Sequence, residues 1–132
     1  MSMNIIIISL TADINSNLST SLDTAQYRVV TCSSLTEARQ RLGDETYRLI
    51  VYNVPPVSSH EACEAVSSLR RLSYAPMLVL APDEVVERLL EAGADCCLPP
   101  ETGRDRAAAY ARALIRRYTL YIQLMPSKCV SN

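Results

Sequence analysis

Short apolar runs alternate along the chain with stretches in which apolar residues recur every three or four positions. The run "NIIIISL" (Asn4 to Leu10) is rich in β-branched residues, and Ile14, Leu18 and Leu22 follow it at the four-residue spacing of one helical face. Strand then helix is the first unit. "YRVVT" (Tyr27 to Thr31) is the next strand; Ser34, with Glu37 three positions on, makes a capping box that opens a helix through Leu42, closed at Gly43. "RLIVYN" (Arg48 to Asn53) is the third strand, and "LIVYNVPP" runs from it into two prolines, the mark of a fully buried strand whose C-terminal end opens into a loop. Ser58 and Glu61 form another capping box, and Ala62, Val66 and Leu69 line the helix that follows. "PMLVLA" (Pro76 to Ala81) is the fourth strand; Pro82 and Asp83 start a short helix with Val86 and Leu90 inward, ending at Gly93 in a left-handed cap. "DCCL" (Asp95 to Leu98) is a short fifth strand, and the helix after it starts near Thr102, with Asp105 as a weaker capping partner, and runs through "AAAYARALIRRY".

Five strand–helix units with short connections predict an α/β fold, a doubly wound five-stranded parallel sheet covered on both faces, because parallel neighbours require crossovers. At 132 residues the chain is the size of one domain. Its net charge of -1 gives no general attraction for nucleic acid, and its wholly apolar runs, Ile5 to Ile8 among them, are far too short for a membrane span. A soluble, cytoplasmic protein is the expectation. Five cysteines, an odd set with no repeated spacing, fit reduced thiols better than a disulfide framework. Cys96 and Cys97, adjacent in a strand, point to opposite faces and cannot share one metal ion, so they read as small buried hydrophobes. His60, the sole histidine, reads as a solvated residue of a helix start. No metal or other cofactor is expected.

"LLEAGADCCLPP" (Leu89 to Pro100) closely resembles the fourth-helix to fifth-strand segment of response-regulator receiver domains, with its Ala-Gly-Ala-Asp turn, and "YRLIVYNVPP" resembles their third strand. The resemblance covers about residues 4 to 117. It implies the flavodoxin-like receiver fold with strand order 2-1-3-4-5, and a receiver-like domain over residues 1–118 followed by a tail or linker, 119–132. Receivers place a phosphoryl group on an Asp at the end of the third strand, beside a divalent metal held by acidic residues after the first. A Ser or Thr after the fourth strand and a Lys after the fifth complete the site. In this chain the phosphoacceptor position falls on Asn53, the acidic positions on Ser9 and Leu10, and the hydroxyl position on Ala81. The switch aromatic is Cys97, and the Lys position is Pro100, or Pro99 with a loop one residue shorter. Asp13, three positions past Leu10, reads as a first-turn residue of the first helix. An amide lacks the nucleophilicity of a carboxylate, and Ser, Leu and Asn give a hard dication no charge. The expectation is a degenerate receiver that transfers no phosphoryl group and is not an enzyme. Asn53 is then either a polar group satisfied by loop backbone amides, or an uncharged stand-in that locks one conformation.

In receivers of the winged-helix transcription-factor group, the fourth helix, fifth strand and fifth helix form a symmetric dimer face. Arg88, Asp95, Arg112 and Arg116 stand at matching or nearby positions, whereas Tyr110 replaces a usual basic residue. A homodimer through that face is expected, with an effector domain or regulatory protein as a further partner. The arginines of the fifth helix are offset by Glu84, Glu87 and Glu91 on the fourth, so direct nucleic-acid binding is not expected. "YTLYIQLMP" (Tyr118 to Pro126) is apolar and β-prone, a segment that reads as packing on a partner or leading into a further domain. The alternative function is a small-ligand or redox sensor that uses the pocket left by the missing acidic site.

Overall fold

In the computed structural model, residues 3–9, 18–19, 21–22 and 26–124 are described, the side chains of 121–123 excepted. Five strands form one parallel sheet in the order β2-β1-β3-β4-β5. They are β1 (Met3–Ile8), β2 (Tyr27–Cys32), β3 (Leu49–Asn53), β4 (Met77–Leu80) and β5 (Cys96–Leu98). The connecting helices are α1 (Leu35–Asp44), α2 (Ser59–Leu72), α3 (Val86–Ala92) and α4 (Arg104–Leu124), so α3 and α4 are the fourth and fifth helices of the sequence reading. The first predicted helix lies partly outside the described residues. Ile14 is among those not described, while Leu18 and Leu22 are helical and buried, as the four-residue spacing requires.

Alternation along each strand divides the interior into two layers. Ile6, Ile8, Ile50, Tyr52, Met77 and Val79 face a core closed by α1, α2 and α3. The residues between them, Ile5, Ile7, Leu49, Val51, Leu78 and Leu80, face Leu18, Leu22 and the Ala107, Ala108, Ala111 and Ile115 stripe of α4. All five residues of β3 are buried, which is why its sequence reads as a continuous apolar run rather than an alternating one.

Both capping serines act as predicted. Ser34 Oγ accepts from the Glu37 N–H (3.1 Å) and Ser58 Oγ from the Glu61 N–H (3.2 Å). Four local expectations are corrected. Gly43 does not close α1: it lies inside the helix, which ends where the Glu45 N–H bonds the Arg41 carbonyl. A 3-10 turn, Asp83–Val85, precedes α3, and the inward face of the helix is Val85, Leu89 and Ala92, leaving Leu90 at 43% exposure. Val86 and Leu90 carry the same spacing one residue out of phase, and the tighter turn selects the other phase. Thr102 caps nothing on α4; its hydroxyl turns back to the Pro99 carbonyl (2.7 Å), and Gly103 accepts the first helical bond from the Ala107 N–H (3.0 Å). Finally, the β-prone Tyr118 to Leu124 continues α4, because a helix already built and packed through Ile115 extends at one hydrogen bond per added residue.

Gly93 does adopt the expected left-handed conformation, at φ 134°, and its N–H bonds the Leu89 and Leu90 carbonyls. A Cβ at this position would lie 3.0 Å from both Cβ and Cγ of Arg70. The Arg70 guanidinium runs through the gap so formed, donating to the Gly93 carbonyl (2.7 Å), the Ala75 carbonyl (2.7 Å) and Asp95 Oδ2 (2.7 Å). One side chain thereby fastens α2 to the β4 entrance and to the turn before β5. No local sequence pattern announces this clasp, because its acceptors are backbone carbonyls brought together only by the tertiary fold.

Candidate functional site

Parallel strands end together at the C-terminal edge of the sheet, and the residue after each central strand is still held by the ladder. The Ser9 N–H bonds the Cys32 carbonyl (3.0 Å), the Val54 N–H bonds the Leu80 carbonyl (3.0 Å), and the Ala81 N–H bonds the Leu98 carbonyl (2.9 Å). Ser9, Asn53 and Ala81 therefore sit side by side on a rigid edge. Asn53 Nδ2 donates to Ser9 Oγ at 3.2 Å, across 44 positions of sequence, and both residues are buried, at 8% and 1% exposure. One partner of this amide is thus a side chain of the neighbouring strand. Ala81 adds only a buried methyl group to the edge.

Pro100 and Pro99 are exposed on the turn after β5, where the Thr102 N–H and hydroxyl both bond the Pro99 carbonyl. Neither proline carries a cation toward Asn53. Cys97 faces the same core layer as Tyr52 and Val79, and Cys96 faces the opposite one. Burial pushes the Cys97 thiol up to about 11, with Cys96 adding to the effect; burial raises Cys96 as well, reinforced by Asp95. Thiols shifted this way are poor nucleophiles. Leu10 and Asp13 lie outside the described residues. Among the described residues, no three His, Cys, Asp or Glu side chains come together, and the edge made by Ser9, Asn53 and Ala81 offers no carboxylate. That donor set does not fit a magnesium ion, which requires anionic oxygens to offset dehydration. Beside the pair, a cavity of about 130 Å³ is lined by Ile8, Ser9, Ser34, Leu35, Tyr52 and Pro55.

Arg88, Asp95, Arg112 and Arg116, the residues expected on a dimer face, are all exposed. Arg88 Nη1 donates to Ser59 Oγ (3.0 Å), tying α3 to the start of α2. Asp95 accepts from Arg70 and from the Met77 N–H (2.8 Å), so it is engaged within the chain. Arg112 and Arg116 are exposed on α4, as is Tyr110 at 40%. His60 is exposed at the start of α2 and pairs with Glu64 one turn on (3.0 Å). Arg70, which bonds Gly93, Ser73, Ala75 and Asp95, escaped sequence reasoning.

No protein-family model matches the chain, and no curated protein matches its sequence. Solved structures do match. A two-component response regulator from Clostridium difficile is similar at a TM-score of 0.78 and 19% identity, over 89% of this chain and 98% of that one. A CheY-like response regulator receiver domain protein from Methanospirillum hungatei is similar at 0.73 and 16%, over 89% and 96%. A protein described as adenylate cyclase from Rhodopirellula baltica reaches 0.78 and 19%, over 93% and 94%. These likenesses show the fold: a five-stranded parallel sheet of order 2-1-3-4-5 with the architecture of response-regulator receiver domains. Among the described residues, no helix is long and apolar enough to cross a membrane.

Proposed function

We propose that the chain is a receiver-fold signalling module that works through protein contacts, without accepting a phosphoryl group and without catalysis of its own. The observation that carries this reading is the buried hydrogen bond between Asn53 and Ser9, flanked by the methyl of Ala81. A phosphoryl group on this edge would need an activated oxygen nucleophile, a dication to draw charge from the leaving group, and a cation or hydroxyl to hold the product oxygens. Here the nucleophile position is an amide, the neighbouring position donates no charge, and the loop that would bring a cation carries two prolines.

Contacts are the remaining output. The surface expected from the resemblance, formed by α3, β5 and α4, offers exposed Arg112 and Arg116, while Arg88 and Asp95 are already engaged inside the chain. Self-association there draws mainly on α4, and an effector domain or a regulatory protein is the other class of partner. Protein rather than nucleic acid is the proposed partner, because exposed Glu84, Glu87 and Glu91 lie on the segment beside the arginines.

The test is incubation with acetyl phosphate and magnesium, followed by intact-mass measurement. No mass is added to the wild-type chain, and none is added to Asn53→Asp, because restoring one carboxylate leaves Ser9, Ala81 and Pro100 in place. A phosphoryl adduct on the wild type would overturn the proposal; an adduct on Asn53→Asp alone would show that the amide is the sole block and overturn the account of the surrounding positions.

A further inference from the structure

The outer face of α2 carries an arrangement that the reading above leaves unused. His60, Glu64, Ser67 and Arg71 recur at intervals of four, three and four, which places them on one stripe opposite the buried Ala62, Ala65, Val66 and Leu69. An open groove of about 980 Å³ runs along this stripe and is shared with Leu35 and Arg39 of α1. Its charge is ordered along the helix: Glu61 and Glu64 lie in the N-terminal half and Arg71 near the C-terminal end, with small Ser67 and Ser68 between them. One apolar side chain, Leu72 at 45% exposure, flanks the basic end.

We infer that this face is an isologous docking surface for a second copy of the chain, with the two α2 helices antiparallel about a two-fold axis between Ser67 and Ser68. The argument is charge complementarity. Reversal about that point sets Glu64 against the partner's Arg71, and symmetry repeats the pair, giving two opposite-charge contacts two helical turns apart. Serines at the axis allow close approach of the two backbones. A parallel arrangement fails, since it sets Glu64 against Glu64 and Arg71 against Arg71. Arg39 is the like charge brought nearest the axis, and its hydrogen bond to Ser68 Oγ (3.3 Å) holds it back in its own protomer's groove. This inference goes beyond the proposed function, for it requires nothing of the chemistry at Asn53 and uses a face distinct from α3, β5 and α4.

Charge exchange tests it in the full chain by sedimentation equilibrium. Each single reversal, Glu64→Arg or Arg71→Glu, weakens self-association about tenfold or more, and the double reversal restores it to within about threefold, because the pairs re-form with their signs exchanged. Both positions are exposed, so the variants remain folded, which circular dichroism verifies. Asp44→Arg, at the exposed end of α1, leaves this association unchanged. The inference is overturned if the wild type is monomeric at every concentration, if the single reversals associate like the wild type, or if the double reversal fails to recover. An association lost in Arg112→Glu and kept in Glu64→Arg would place the contact on α4 and likewise overturn it.

Discussion

Gly93 and Arg70 show how much one pair of residues fixes. The left-handed turn and the absence of a Cβ together let the guanidinium pass close enough to reach three acceptors on separate segments. An alanine at position 93 is strained at φ 134° and collides with the Arg70 stem at 3.0 Å. Gly93→Ala is expected to cost about 2 kcal/mol or more, read from urea unfolding. The glycine was legible in the sequence as a helix cap. The reason that no other residue would serve there was not, because it lies in an arginine more than twenty positions away.

At the scale of elements, α3 separates what periodicity decides from what it leaves open. Its seven residues contain two apolar phases, and both satisfy helical spacing. The 3-10 turn before the helix settles which phase packs inward, and that depends on how Pro82 leaves β4. Leu89→Ala is therefore expected to cost about 3 kcal/mol, and Leu90→Ala under about 1 kcal/mol, in paired denaturation curves. Exchanged magnitudes would restore the sequence-based phase. The end of α4 teaches the same lesson in the opposite sense. Tyr118, Thr119, Tyr121 and Ile122 favour strands on their own, yet a preceding helix anchored by Ala107, Ala111 and Ile115 carries them along. The strands and the two serine caps were legible because their signals are local and redundant; helix phase and helix length are settled by neighbours.

For the whole molecule, the order of strands and the identity of the edge residues followed from the sequence, whereas the bond that joins Asn53 to Ser9 did not. Ser9 and Asn53 were each readable as substitutions at a familiar position, but their contact depends on β1 and β3 being paired with Ile8 opposite Tyr52. The two-layer core also sets a global response to alkali. Folding raises the Cys97 thiol from 9.0 to about 11 and the Tyr47 hydroxyl from 10.0 to about 12, and burial is the first cause of each. Between the two values the unfolded chain has released a proton that the folded chain keeps, so stability falls as pH rises through that window. Urea midpoints measured from about pH 8 to about pH 11 should decline, and Cys97→Ala should decline less steeply. A flat profile would contradict the burial of these groups.

The backbone bond from the Val54 N–H to the Leu80 carbonyl has a consequence for the lifetime of the site. Asparagine ages to aspartate when the next backbone nitrogen attacks the side-chain carbonyl carbon, closes a cyclic imide and expels ammonia, after which water opens the imide. Here that nitrogen is committed to the β4 ladder at 3.0 Å, and it belongs to a β-branched residue that crowds the approach. Asn53 itself is held in register opposite Leu80. Ring closure would have to pull the centre of the sheet apart, so this amide is protected from deamidation. The strand mouth therefore keeps its neutral amide instead of gaining a carboxylate with time.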